Sequence, residues 1–223
     1  MSALVLDFVD TETTGLIDDY PDAEITEIAI VSWESDNGDR VERLHSPLRI
    51  KKAPPSNIAV HNKSFDPAVN LSLDTDSWQI AHSKEISSLL AGRYICGSNP
   101  DFDKRMIAAE CFRTGQPRPK WNHRGVNTCS FGMLLWCIGE TPGAGLGHLT
   151  EYFKVEHKAH TALGDAHAAI SVWEAFYDKW IGRPAMMKEA LEELQTKTDE
   201  NCVKPFDLDQ MRDIVLRGLV GVP

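Results

Sequence analysis

Ala3-Leu4-Val5-Leu6-Asp7-Phe8-Val9-Asp10-Thr11-Glu12-Thr13-Thr14-Gly15 is mostly apolar over residues 3–9 and then passes into acids, threonines and a glycine. A short β-branched-rich run that ends at a turn former reads as a buried strand. Side chains alternate across a strand, so Asp10 and Glu12 share one face and Asp7 points to the other. Two like charges side by side at a strand end are unfavourable unless a cation neutralises them. The pair is therefore a candidate cation site, although a turn with solvated acids would carry the same residues.

Working outward, residues 25–33 alternate as a second strand, and Asp36-Asn37-Gly38-Asp39 signals a hairpin into a third, antiparallel strand over 41–50. Pro54-Pro55 breaks regularity ahead of a short helical stretch near 56–60. A helix follows over 83–91, then a strand at 94–96. Ser98 or Asn99 can cap a helix that has Pro100 in its first turn and runs to about Thr114. Helices are also expected over 128–137, 146–153 and 163–181. Three strands followed by helices and one more strand predict an α/β domain, a mixed sheet with helices on both faces. Its span is residues 1–181. Residues 182–223 form an α-helical C-terminal extension with amphipathic segments at 186–194 and 208–219, too little chain to bury a core of its own.

The chain has 223 residues, 42% hydrophobic and 25% charged, with 15 glycines and 12 prolines, which excludes collagen-like and low-complexity readings. Its longest strongly apolar stretch, 133–138, is far short of a membrane span. Acids at Asp7 and Asp10 and the lack of a basic n-region speak against a signal peptide. Five scattered cysteines without a CxxC pair suit a reducing cytoplasm, the expected location. The net charge of −10 argues against coating nucleic acid by bulk electrostatics, but not against an enzyme whose acids hold divalent ions.

Two further acidic signals stand out. In Cys96-Gly97-Ser98-Asn99-Pro100-Asp101-Phe102-Asp103, Asp103 falls in the first turn of a helix that follows a strand, at the sheet edge where α/β sites gather. An acid there also favours the helix dipole by itself. In His160-Thr161-Ala162-Leu163-Gly164-Asp165, the histidine lies in a loop and the acid near the start of the last long helix. Taken singly, that pair also fits a surface histidine and a capping acid. His157 and His167 are close by, but only His160 precedes Asp165 with a four-residue gap.

Taken in order, DxE on the first strand, Asn-x-x-Phe-Asp, and His-x4-Asp before a helix resemble the DEDDh 3′–5′ exonuclease family. That family includes proofreading subunits of bacterial replicative polymerases and ribonuclease T-like RNA trimmers. The resemblance covers about residues 3–178. Glu24-Ile25-Thr26-Glu27-Ile28-Ala29 looks like its second-strand segment, Ala59-Val60-His61-Asn62 like its Val-His-Gly element, and residues 146–149 like its leucine-rich helix. The sequence departs at Ser98, where the family has histidine, and at Asn62, where it has glycine. Thr161 stands where a Tyr-type member would have tyrosine, so the His-type subfamily is the match.

The resemblance implies a ribonuclease H-like fold and two-metal hydrolysis with Mg2+ or Mn2+. Asp10, Glu12 and Asp165 would hold the ion that activates water. Asp10 would bridge to a second ion supported by Asp103, and His160 would take the proton of the attacking water. Thr13, Thr14, Gly15 and Leu16 resemble the terminal-nucleotide pocket, with His61, Asn99 and Phe102 lining it. The expected substrate is a nucleic acid with a free 3′ end, single-stranded DNA favoured over RNA, releasing 5′-mononucleotides. The alternatives are RNA 3′-end trimming and a non-catalytic polymerase-associated subunit. The intact acidic set counts against the latter. A basic stretch over 104–124, with six bases against Glu110 alone, and four bases over 49–63 offer a track for the backbone. Trp121 and His123 offer aromatic stacking along it. The C-terminal helices would pack on the domain, dock a DNA polymerase or join a second copy.

Overall fold

β1 (Val5–Thr13) is buried along nearly its whole length because it runs through the middle of a sheet covered on both sides. β2 (Ile25–Glu34) pairs with it antiparallel, and β3 (Arg40–Pro47) pairs antiparallel with β2. The computed structural model describes residues 5–55, 65–74, 83–122, 125–137 and 139–181. The remaining elements are α1 (Pro67–Leu71), α2 (Ser83–Leu90), β4 (Ile95–Cys96), α3 (Pro100–Arg113), α4 (Thr128–Cys137), α5 (Leu146–Phe153) and α6 (Ala162–Phe176). A π-helical turn, Tyr177–Ile181, continues α6. The sheet order is β3-β2-β1-β4, with β4 parallel to β1. This is the mixed, ribonuclease H-like α/β sheet that the sequence predicts. Isolated bridges from Tyr94 to Asn122 and from Gly97 to Asn127 lay a further row beside β4.

The alternation of β1 divides the molecule into two cores. Leu6 and Phe8, with Ala29, Val31 and Trp33 of β2, face α4, α5 and α6. Val9, with Ile28 and Ile30, faces α2 and α3 through Ile86, Leu90, Met106 and Ile107. In the first core Phe131 stacks on Phe176 at 4.1 Å between centroids and on Trp173 at 5.9 Å. Asp7 projects into the second layer, where Arg93 pairs with it and Ser32 Oγ donates to it at 2.5 Å. Its role is structural, as its odd spacing from Asp10 implies.

Several boundaries differ from expectation. β1 continues through the acidic motif to Thr13, because its threonines are β-branched and suit a strand. Its register shifts between Glu12 and Thr13, a bulge at the end of the pairing. β3 stops at Pro47 rather than at Ile50, since proline lacks the N–H that would extend a ladder. Its largely exposed, charged face marks it as an edge strand. The short helix α1 was not foreseen: Asp66 caps it by accepting from Ala68 N–H, and Pro67 opens it. Buried Asn70 fastens it by accepting from Ile50 N–H at 2.8 Å and donating to Leu48 O. The predicted final helix starts one residue early and changes pitch after Phe176. The stretch at 56–60, His61, His123, Arg124 and the extension 182–223 lie outside the described residues. Among the described residues no helix is long and apolar enough to cross a membrane.

Candidate active site

The parity that sorts the cores also sorts the acids. Asp10 and Glu12 continue the row of Leu6 and Phe8, so they face the α6 side. There Asp165, in the first turn of α6, meets them: one ligand atom from each of the three carboxylates lies within 4.8 Å of the others. Thr161 caps α6 by accepting from Gly164 N–H at 3.2 Å, and Asp165 N–H donates to Thr161 O. Gly164 is required by space. A Cβ there would stand 2.3 Å from Lys158 O and 2.5 Å from Thr161 Oγ1, so only glycine lets the loop 154–161 close onto the helix start.

Asp103 belongs to the other layer. It is buried at the start of α3, where it accepts from Thr11 Oγ1 at 2.7 Å. Thr11 has the opposite parity to Asp10 and Glu12, which is why it reaches α3. The structure thus gathers three of the four predicted acids into one group and holds the fourth across the strand, close enough to act on the others by charge. Asn99 occupies the N-cap position of α3 in a left-handed backbone conformation (φ 62°), and its side chain makes no capping bond. Asn99 N–H instead donates to Asn127 Oδ1, and Ser98 Oγ lies 3.3 Å from Cys129 Sγ, so neither expected side-chain cap forms.

Burial and mutual repulsion hold protons on these acids. Burial, then Asp103, Asp165, Glu12 and Glu27, push Asp10 well above the usual carboxylate range. Glu12 is pushed up to about 7, by burial first and then by Asp165, Glu27 and Asp103. Asp103 also rises to about 7 through burial, although hydrogen bonds from Thr11 oppose the shift. Such a group asks for positive charge. Carboxylate oxygens with no thiolate among them suit a hard divalent cation such as Mg2+ or Mn2+, and the donor set fits it.

His160 sits on the exposed loop before α6 with its backbone left-handed (φ 63°). The ring of His157 meets Asp165: Nε2 lies 2.5 Å from Oδ1. Beside the acids, Thr13, Leu16, Asn99 and Phe102 join Thr11 and Glu12 in lining a cavity of about 230 Å³. The neighbouring turn is tied down by its threonines. Thr13 Oγ1 donates to Gly15 O, Thr14 N–H donates to Glu24 O, and Thr14 Oγ1 accepts from Glu24 N–H. Thr14 and Gly15 therefore build the cavity wall from behind rather than lining it.

Part of the basic stretch is used within the fold. Lys104 pairs with Asp101, Arg105 with Asp18, and Arg113 with Glu110 and the carbonyls of Pro21 and Ala23. Trp121 packs against the second core with Arg118 over its ring at 5.6 Å. Half of the bases in that stretch are thus engaged in the fold itself. The sequence reading missed Glu27, which stands opposite Glu12 in the β1–β2 register and bonds His45 Nε2 at 2.8 Å. It also missed Thr11 and His157. Alternation along β1 carries a signal for Thr11, whereas the β1–β2 register and the fold of loop 154–161 have none in local sequence.

A family model described as Exonuclease, RNase_T, matches residues 8–173. The structure of E. coli exonuclease I in complex with a dT13 oligonucleotide aligns with a TM-score of 0.61 at 17% identity, covering 86% of this chain and 46% of that one. Cell-death related nuclease 4 (CRN-4) aligns with a TM-score of 0.60 at 16% identity, covering 78% of this chain and 64% of that one. This chain thus spans less than half the length of that exonuclease I. At these identities the likeness concerns the fold. No curated protein sequence matches the chain.

Proposed function

This chain belongs to the exonuclease family whose model spans residues 8–173, and from that premise we propose that it is a 3′–5′ exonuclease that releases 5′-mononucleotides from single-stranded DNA with two divalent ions, Mg2+ or Mn2+. The observation that carries the reading is the convergence of Asp10, Glu12 and Asp165 within 4.8 Å, with buried Asp103 acting on them by charge from the facing layer. Exonuclease I, of like fold, has been solved with a DNA oligonucleotide, which supports DNA as the substrate class.

Asp10, Glu12 and Asp165 would hold one ion, and Asp10 with Asp103 would hold the second. When bound, the ions supply Lewis-acid stabilisation of the attacking and leaving oxygens of an in-line displacement at phosphorus. Thr13, Leu16, Asn99 and Phe102 seat the terminal nucleotide in the cavity beside Glu12, so the last phosphodiester lies over the acids. The turn of Thr14 and Gly15 keeps that wall rigid, and His61 completes the expected set. His160 accepts the proton of the attacking water at an imidazole nitrogen. General-base help of this kind is worth about 10²–10⁴ in rate. Without cations the acids repel a phosphodiester.

The test is digestion of 3′-labelled single-stranded DNA, duplex DNA and RNA of one sequence, with Mg2+ or Mn2+ and with EDTA. Mononucleotide release from single-stranded DNA that EDTA stops, and that Asp10→Ala abolishes, is the expected result. His160→Ala is expected to lower kcat far more than it raises KM. Equal activity in EDTA, or wild-type hydrolysis by Asp10→Ala, overturns the site. Activity on RNA alone moves the substrate to RNA ends.

A further inference from the structure

We infer that His157 is a positioning residue, which holds Asp165 by its Oδ1 so that Oδ2 is presented to a divalent cation. The inference rests on the metal role proposed above for Asp165. His157 Nε2 lies 2.5 Å from Asp165 Oδ1, and both side chains are largely enclosed, 13% and 16% exposed. A carboxylate oxygen accepts, so Nε2 carries the hydrogen of this bond.

The ring is backed from behind. Its Nδ1 lies 3.5 Å from the hydroxyl of Thr150, which is buried on α5 and donates to Gly147 O at 2.9 Å. Val155 N–H closes onto Thr150 O at 2.8 Å, fixing where the loop leaves α5. A line of contacts therefore runs from α5 through an imidazole to the first turn of α6.

The need for such a support follows from the charges. Asp165 stands with Asp10 and Glu12 in one cluster, and like charges drive a carboxylate on a rotatable side chain away from its neighbours. A donor on Oδ1 opposes that rotation before any ion arrives. It does for the carboxylate what outer hydrogen bonds do for metal ligands generally, where their loss costs about 10–100-fold in metal affinity or activity. His160, three residues on, is the residue assigned the water proton above, so the two histidines take different tasks: one orients a ligand and the other handles a proton.

The experiment uses the full chain, stripped of metal, and titrates Mn2+ by calorimetry alongside melting temperature and kcat and KM on a DNA oligonucleotide. Glutamine can place an amide N–H near the Nε2 position, whereas asparagine mimics Nδ1. His157→Gln is therefore expected to bind Mn2+ within about threefold of wild type, and His157→Asn to lose about tenfold or more, by the same outer-shell magnitude. The melting temperatures of the two variants should be alike, and raised Mn2+ should recover kcat in His157→Asn. Equal Mn2+ affinity in all three proteins overturns the inference, as does equal weakening in both variants. Should His157→Asn fail to fold, His157→Gln decides alone, since a tenfold loss there refutes the role. Asp165→Asn separates the two readings. If it abolishes Mn2+ binding while His157→Asn does not, only the positioning role fails; if it too binds normally, the metal site itself is wrong.

Discussion

The Thr11 hydroxyl donates to Asp103 Oδ1 at 2.7 Å, joining the middle of the DxE motif to the start of the helix on the far side of the sheet. Thr11→Val keeps the shape and removes the donor, leaving a buried acceptor short of a partner, at a cost of about 1–3 kcal/mol. Denaturant unfolding is expected to show that loss. Because a misplaced carboxylate affects turnover more than binding, kcat should fall about tenfold with KM little changed, whereas Thr11→Ser should keep both. Wild-type kcat in Thr11→Val would detach Asp103 from the reaction.

Asp7 and Asp10 lie three residues apart on one strand and should respond to substitution in opposite ways. Asp7 is buried against Arg93 and Ser32. Asp7→Ala strands the arginine, and breaking such a buried pair costs on the order of 3 kcal/mol. Asp10→Ala instead removes one of a crowded cluster of acids, so the metal-free protein should melt higher at pH 8 while activity disappears. Melting curves in EDTA read both, and the same sign for both variants would contradict the assignment.

The stability of the metal-free protein should fall with rising pH. Glu12 and Asp103, with ordinary values of 4.5 and 3.8, are each raised to about 7, so the folded state binds protons more tightly than the unfolded chain. Their contribution to stability is whole below about pH 4 and is lost as the pH climbs through about 7. In EDTA the melting temperature is expected to drop between pH 5 and 8, and Glu12→Gln should flatten that drop. Mg2+ should restore the loss at pH 8, where the carboxylates are ionised and binding displaces no proton. An unchanged pH slope in Glu12→Gln would show that the carboxyl is not held protonated.

Gly164→Ala is expected to cost more than a glycine-to-alanine change elsewhere. Its Cβ would meet Lys158 O at 2.3 Å, which pushes the loop carrying His157 and His160 off the start of α6. A loss in kcat of about tenfold or more accompanies shifts of that kind. Gly147 on α5 has nothing within 4 Å of a Cβ and serves as the control, with unchanged activity and a gain of up to about 1 kcal/mol from alanine's helix propensity.

What could be read from the sequence follows from local rules. Alternation alone puts Asp10 and Glu12 together and Asp7 away from them, and the hairpin signal at residues 36–39 leads into an antiparallel β3. The positions of α2 to α6 follow from apolar periodicity and breakers, with boundaries moved by a residue or two. The site was legible as far as its acids and not as far as their surroundings. Glu27 reaches Glu12 only through a register set across an eleven-residue connection, and His157 reaches Asp165 only because the loop folds back past Gly164. Charge in sequence does not reveal which bases are ion-paired in the fold, as Arg105 with Asp18 demonstrates.

Since Asp103 hangs from the layer on one flank of the sheet and Asp165 from the layer on the other, the central strand works as the fulcrum of a pair of jaws. Any slackening of packing beneath either jaw, even at a residue as remote as Phe131 or Met106, alters the grip at the tip. Heating should therefore silence this enzyme through lost alignment at temperatures where its backbone still holds together.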